Sequence, residues 1–292
     1  MKQIKQISFI ILTVALIIAG ISFSGCTARE HQITSITDVA RLAPEGYTMI
    51  SFADISTISG TPFLASGFGK EMYRSIPVLN QTDPDKLSAM GWYAMPKRSE
   101  YEMATVIKGD FDHQMITQSL LDADYSEETY NEFNLFVNTN RNDYVSLQDS
   151  IIIAGTEDAV KGTIDVISKS KQNAYATDSN LSALLQTLPS GFLSVAMTGN
   201  ALSSLDMDGM ATDMSLSANN TVLGTVLILV NDEVLLSQLD EDLTTKYDSV
   251  LNSMPPVFQD ADITISDNMI IFSGIIPENT LFSDETYTSL FS

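Results

Sequence analysis

The chain opens on a nearly continuous apolar run, Ile7 to Phe23, broken only by Ser8, Thr13 and Ser22. Beyond it the pattern changes: short apolar stretches bounded by turn residues alternate with segments of helical period, so strands and helices are mixed along the chain. Ser35 or Thr37 caps a short helix ending at Pro44, and an apolar strand follows over Tyr47–Ala53. Asp83-Pro84-Asp85 reads as a helix start, with Pro at the first helical position. Strands are expected at Met90–Met95 and Tyr101–Lys108, joined by a turn at Pro96–Ser99. Next comes a helix over Asp112–Leu121 with Met115, Ile116 and Leu120 inward, then strands near Glu132–Asn138, Tyr144–Leu147 and Ser150–Ala154. Helix Thr156–Ser168 has Thr156 as its cap, Glu157 and Asp158 at its positive end, and Val160, Ile164 and Ile167 as its buried stripe. Ser170 to Asp178 is polar enough for a linker. Helix Ser179–Leu188 follows, with Leu181, Leu184, Leu185 and Leu188 at helical spacing. A helix over Asp232–Leu251 presents Leu236, Leu239, Leu243, Tyr247 and Val250 on one face, and strands at Gln259–Ser266 and Asn268–Gly274 close the chain.

Parts of this pattern occur twice. Pro44, Gly46 and Tyr47 before a strand align with Pro189, Gly191 and Phe192 before Leu193–Met197, at an offset of 145 residues. Ala104–Ile107 running into Gly109-Asp110 resembles Val226–Val230 running into Asn231-Asp232. Asp149–Gly155 resembles Asn268–Gly274 at an offset of 119, so the second copy is the shorter. The expectation is two tandem copies of one α+β unit, paired subdomains rather than a solenoid. The implied organisation is a leader at 1–25, a tether at 26–34, a first subdomain at 35–169, a linker at 170–178 and a second subdomain at 179–292. The fold class expected is α+β, with mainly antiparallel sheets and helices packed on one face.

The leader sets the address. Lys2 and Lys5 precede the apolar run, and Ser24-Gly25-Cys26 ends it with small residues before a lone cysteine. Phe23-Ser24-Gly25-Cys26 resembles a lipobox, so Cys26 is the expected lipidation site and the membrane its partner, on the extracytoplasmic side. An uncleaved signal anchor and free secretion are the alternatives. With a single cysteine, no intrachain disulfide is available to an exported fold. The leader holds no acid, so the part beyond residue 25 carries 13 basic against 37 acidic residues, a net of −24 against −22 for the whole chain. A surface so acidic repels phosphate backbones and argues against a nucleic-acid partner.

Candidate chemistry changes the picture little. His31 lies in the tether and His113 opens a polar helix turn, neither beside a nucleophile in a triad pattern. Asp206-Met207-Asp208-Gly209-Met210 and Asp213 lack the ladder and the closing Glu of a calcium loop. Met210, Thr212, Met214 and Leu216 read instead as an alternating strand with methionine in the core. Glu127/Glu128 and Asp240/Glu241/Asp242 read as solvated faces. Asn80, Asn180 and Asn219 stand in glycosylation sequons. No catalytic, cofactor or metal residue is assigned.

Three junctions carry a family resemblance: Leu42-Ala43-Pro44-Glu45-Gly46-Tyr47, Val106-Ile107-Lys108-Gly109-Asp110-Phe111-Asp112, and Ile153-Ala154-Gly155-Thr156-Glu157-Asp158-Ala159-Val160. Through them the chain resembles an uncharacterised family of exported bacterial and archaeal lipoproteins with a duplicated α+β domain. The resemblance implies an extracytoplasmic domain and supplies no activity. The leading expectation is a lipid-anchored surface protein with a non-catalytic binding or envelope role and a protein partner at the cell surface. A carrier of an apolar small molecule or lipid is the alternative, and a hydrolase without a recognisable motif is the third reading.

Overall fold

The computed structural model describes residues 32–59, 86–97, 100–148, 150–202, 207–217, 221–238, 241 and 262–276. The chain divides into two compact units that meet in sequence at Ser179 and Asn180.

The first unit begins at α1 (Ile36–Leu42). The Ser35 hydroxyl accepts from the Asp38 N–H at 3.3 Å, while the Asp38 carboxylate accepts from the Thr34 N–H at 3.0 Å. Helix start and preceding chain are thus clasped from both sides. Then come β1 (Met49–Asp54), α2 (Ile55–Ser59), β2 (Leu87–Lys97), β3 (Glu100–Gly109), α3 (His113–Asp122), β4 (Ser126–Tyr130), β5 (Phe133–Asn138), β6 (Asp143–Gln148), β7 (Ile151–Gly155), α4 (Glu157–Ile167) and α5 (Ala174–Thr177). The strands lie in the order β1-β2-β3-β7-β6-β5-β4, and the pairings are antiparallel. β3 skips to β7, so α3 and the β4–β5 hairpin form an excursion that returns along β6.

Register fixes the faces, because directly paired residues share one. Gly91 and Tyr93 of β2 look toward α1 and α4. A Cβ on Gly91 would stand 2.3 Å from a methyl of Val39 in α1, so the missing side chain lets the helix sit close to the sheet. The Tyr93 hydroxyl bonds Thr163 of α4. Helices were expected on one face; α3 instead engages the other. Its C-terminal Ala123 carbonyl accepts from Asn138, and the following Tyr125 donates to Asp143. Asn138 and Asp143 pair with each other, one position out of phase with Val137 and Tyr144, which share the Tyr93 face.

The second unit contains α6 (Ser179–Thr187), β8 (Leu193–Thr198), a 3-10 turn over Gly199–Leu202, β9 (Gly209–Leu216), β10 (Val222–Leu229), helical turns over 233–238 (α7), β11 (Asp262–Ser266) and β12 (Met269–Ile276). Its order is β8-β9-β10-β12-β11, again antiparallel. Leu181, Leu184, Leu185 and Leu188 are buried, as their spacing requires. The protein is therefore α+β and mostly antiparallel.

Several local expectations shift. Asp83–Asp85 lies outside the described residues, but the chain is strand from Leu87, three residues before the expected Met90. β4 was not expected: its sequence, Ser-Glu-Glu-Thr-Tyr, has no apolar alternation, and it is strand because β5 pairs along it. The stretch 170–178, read as linker, holds α5, capped by the Asn173 side chain at 2.9 Å, with Ala174 fully buried and its N–H on the Ala43 carbonyl. In α3, Ile116 and Leu120 point inward, whereas Met115 is 39% exposed. Thr156 occupies the cap position of α4, yet its hydroxyl turns to Met103, accepting from its N–H at 3.2 Å. Of the tether, Ile33 is already core.

Candidate functional site

The densest polar system in the described structure lies beneath and beside α4. The helix carries Glu157, Lys161 and Asp165 at a spacing of four, which stacks them on one face. That stripe meets tyrosines from the sheet. Tyr144 donates to Glu157 at 2.9 Å, Lys161 pairs with Glu157, and the Lys161 ammonium stands over the Tyr130 and Tyr144 rings at 5.3 and 5.7 Å. Asp165, only 6% exposed, collects donors from Tyr130 at 3.0 Å, Asn131 at 2.8 Å and Lys171 at 2.8 Å. Lys161, then Tyr144, hold the Glu157 carboxyl below its usual range, and Asp165 raises Lys171. Burial, helped by the bond to Glu157, pushes the Tyr144 phenol up to about 12.

A second knot sits at the N-terminal end of the same helix. Tyr47 donates to Glu102 at 2.7 Å, Lys97 pairs with Glu102 and, at 2.7 Å, with Asp158. The Tyr47 and Tyr93 rings meet edge to face at 5.3 Å, and Thr163, bonded to Tyr93, also donates to the Ala159 carbonyl at 2.8 Å. Burial, reinforced by Glu102, drives the Tyr47 hydroxyl far above the phenol range; burial alone does so for Tyr93. A phenol that holds its proton this firmly does not serve as an acid or base near neutrality. What the arrangement accomplishes is attachment: it fastens α4 to β2, β3 and β6, and the β4–β5 hairpin to α4.

Among its described residues, the second unit has one buried acid of its own. Asp213 in β9 is 2% exposed and accepts from the Ser194 hydroxyl at 2.7 Å and the Gly191 N–H at 3.0 Å. Its other oxygen has no hydrogen-bond partner among the described residues. Burial raises this carboxyl to about 6. Asp143 is likewise raised to about 6 by burial.

The residues singled out in the sequence are scattered. Cys26, His31, Asn80, Asn219, Asp206, Asp240 and Asp242 lie outside the described residues. Asn180 is the second residue of α6, half-buried, and its side-chain oxygen accepts from Asn231 at 3.5 Å. His113 opens α3, half-buried. Asp208, drawn from the rejected calcium pattern, is a backbone clip: its carboxylate accepts from the Asn231 N–H at 2.7 Å. Met210 is core within strand β9, as alternation requires, while Leu216 is 40% exposed. Among the described residues no group of three or more His, Cys, Asp or Glu is placed to hold a metal ion, and no helix is long and apolar enough to cross a membrane. Sequence reasoning missed the α4 cluster. Its one visible sign was the Glu157–Lys161–Asp165 spacing; the tyrosines reach it from four different strands or turns.

Comparison with known proteins gives the fold and no more. A scan against protein-family models found no match, and a search of curated proteins found none. Among solved structures the chain is similar to crystal form I of the Treponema protein TP0453, with a TM-score of 0.51 and 12% identity, over 87% of this chain and 98% of that one. Crystal form III of TP0453 matches with a TM-score of 0.51 and 11% identity, over 88% and 99%. At such identity the shared property is the TP0453-like fold.

Proposed function

We propose that this is an extracytoplasmic protein held to the outer face of a membrane by a lipid on Cys26, acting by binding or within the envelope rather than by catalysis. The observation that carries the reading is the Phe23-Ser24-Gly25-Cys26 stretch closing a positively flanked apolar run. The polar clusters favour the non-catalytic part, since their acids and bases are spent on fastening α4. The two units are then copies of one domain of an exported lipoprotein family. This is supported by the matching paths β1-β2-β3-β7-β6 and β8-β9-β10-β12-β11, each with a helix directly after its third strand. The test of the address is Cys26→Ser in the native host, followed by fractionation and intact mass. Loss of membrane association together with loss of the acyl mass is expected; unchanged association and mass would overturn it.

A second reading, carriage of an apolar small molecule or lipid, has one observation in its favour. Trp92 Nε1 and Asn138 Oδ1 are buried without a hydrogen-bond partner among the described residues, and register puts both on the sheet face opposite α1 and α4. Buried polar atoms left unpaired are costly, and a ligand that pairs them repays the cost. Native mass spectrometry of the full chain purified from its host decides: co-purified lipid supports carriage, and a bare mass removes it.

A further inference from the structure

The outermost strand of the first unit is open. β4 ends the strand order, and its residues Ser126 to Thr129 are all exposed. Tyr130 pairs with Phe133 across the two-residue turn Asn131-Glu132, both of positive φ (49° and 69°), which is a primed hairpin turn. In such a hairpin the pair flanking the turn is hydrogen-bonded and the next is not. The main-chain groups of Tyr130, Glu128 and Ser126 therefore face β5, while the N–H and C=O of Glu127 and Thr129 face outward. No described residue bonds to those outward groups.

Native proteins blunt such edges with short strands, charged side chains (Lys above all), Pro, bulges or inward charges. β4 has no Pro, no Lys and a regular register. What it has is acid: Asp122, Asp124, Glu127, Glu128 and Glu132 lie within eleven residues that contain no Lys or Arg, and all five are exposed. None of them forms an ion pair with a described residue, and Glu127 is steadied by the Asn134 side chain at 3.0 Å. Acid on both faces of the edge repels a second copy of this acidic chain and attracts a basic one. We propose that β4 is a docking edge for a basic, extended segment of a partner protein, which adds as an eighth strand through Glu127 and Thr129. The proposal supplies the partner class for the binding reading, but it does not depend on the lipid address, which the Cys26→Ser experiment tests separately.

The probe is a short labelled peptide of alternating Lys and Val, titrated by fluorescence anisotropy onto the full chain in detergent, with hydrogen exchange followed on the same sample. Binding that weakens with salt is expected, with exchange slowed at the Glu127 and Thr129 amides. Thr129→Pro removes an outward donor without touching a β5 bond, and it should abolish binding. Glu127→Gln with Glu128→Gln should weaken binding about tenfold and flatten its salt dependence. Undiminished binding to the Thr129→Pro protein would overturn the proposal. So would equal binding of a proline-interrupted Lys peptide, which cannot pair as a strand, or unchanged exchange at both amides of the unaltered protein. A peptide that does not bind at all overturns it as well.

Discussion

Asp213 carries the sharpest consequence of a single residue. Its carboxyl rises from 3.8 to about 6 on folding because burial penalises the charge more than Ser194 and Gly191 repay it. A carboxyl raised in the folded state lets the unfolded chain ionise first. Its contribution is therefore whole well below pH 3.8, is lost as pH climbs from there to about 6, and is level above that. Asp213→Asn keeps the acceptor for Gly191 and Ser194 and mimics the protonated acid. It should stabilise the protein at pH 7 by on the order of 2 kcal/mol and leave it nearly unchanged at about pH 3, below the unfolded carboxyl, read from urea denaturation at each pH. A variant less stable at pH 7, or a gap of the same size surviving at about pH 3, removes this account. None of this was legible in the sequence, where Asp213 stood among acids of a discarded calcium pattern. Whether an acid is buried is decided by the strands that come to lie beside it, here β8 and the Pro189–Gly191 turn.

Among elements, those with their own period were the readable ones. α4 and α6 bury the stripes their spacing demands, and β9 is a strand as expected, although of Met210, Thr212, Met214 and Leu216 only Met210 is core. β4 and α5 were not readable, since each owes its conformation to a partner outside itself: the adjoining β5 imposes the first, and the Ala43 carbonyl, distant in sequence, pins the second. The α4 cluster failed for the same reason at larger range, as Tyr47, Tyr93, Tyr130 and Tyr144 converge only after the sheet is assembled. The contact between α1 and β2 is equally invisible in one dimension and makes a direct prediction. Gly91→Ala drives a methyl into the stiff, fully buried Val39 and should cost about 1–3 kcal/mol, read as a lowered thermal midpoint. Adding Val39→Ala should return part of that loss, whereas strictly additive losses would mean that the close approach is not what Gly91 provides.

For the whole molecule, charge is the property that acts at every point at once. A chain of net −22 repels itself, most strongly in the folded state, where the acids are closest. Raising ionic strength from about 0.01 M to about 0.15 M shortens the screening length from roughly 30 Å to 8 Å, so the thermal midpoint should rise over that range. The same salt should loosen the basic segment from β4, giving two opposite responses from one sample; a midpoint that is flat or falls with salt contradicts the self-repulsion account. Composition announced this behaviour completely, because net charge needs no fold to be counted. The matching strand paths of the two units were largely announced: the motif pairs at β1 and β8, β3 and β10, and β7 and β12 were visible, as were α3 and β5, but not β4.

Ile33, buried at 2% exposure, and the clasp between Thr34 and Asp38 tie this part of the chain to the folded unit. With a lipid on Cys26, only six residues separate the bilayer from that point. Fully stretched, such a leash reaches about 25 Å. That is less than the width of a small domain, so under the proposed anchor the protein would ride against the headgroups, unable to survey the space above them. Under that anchor, the basic partner proposed for β4 would have to come down to the membrane surface, or live there, to be met.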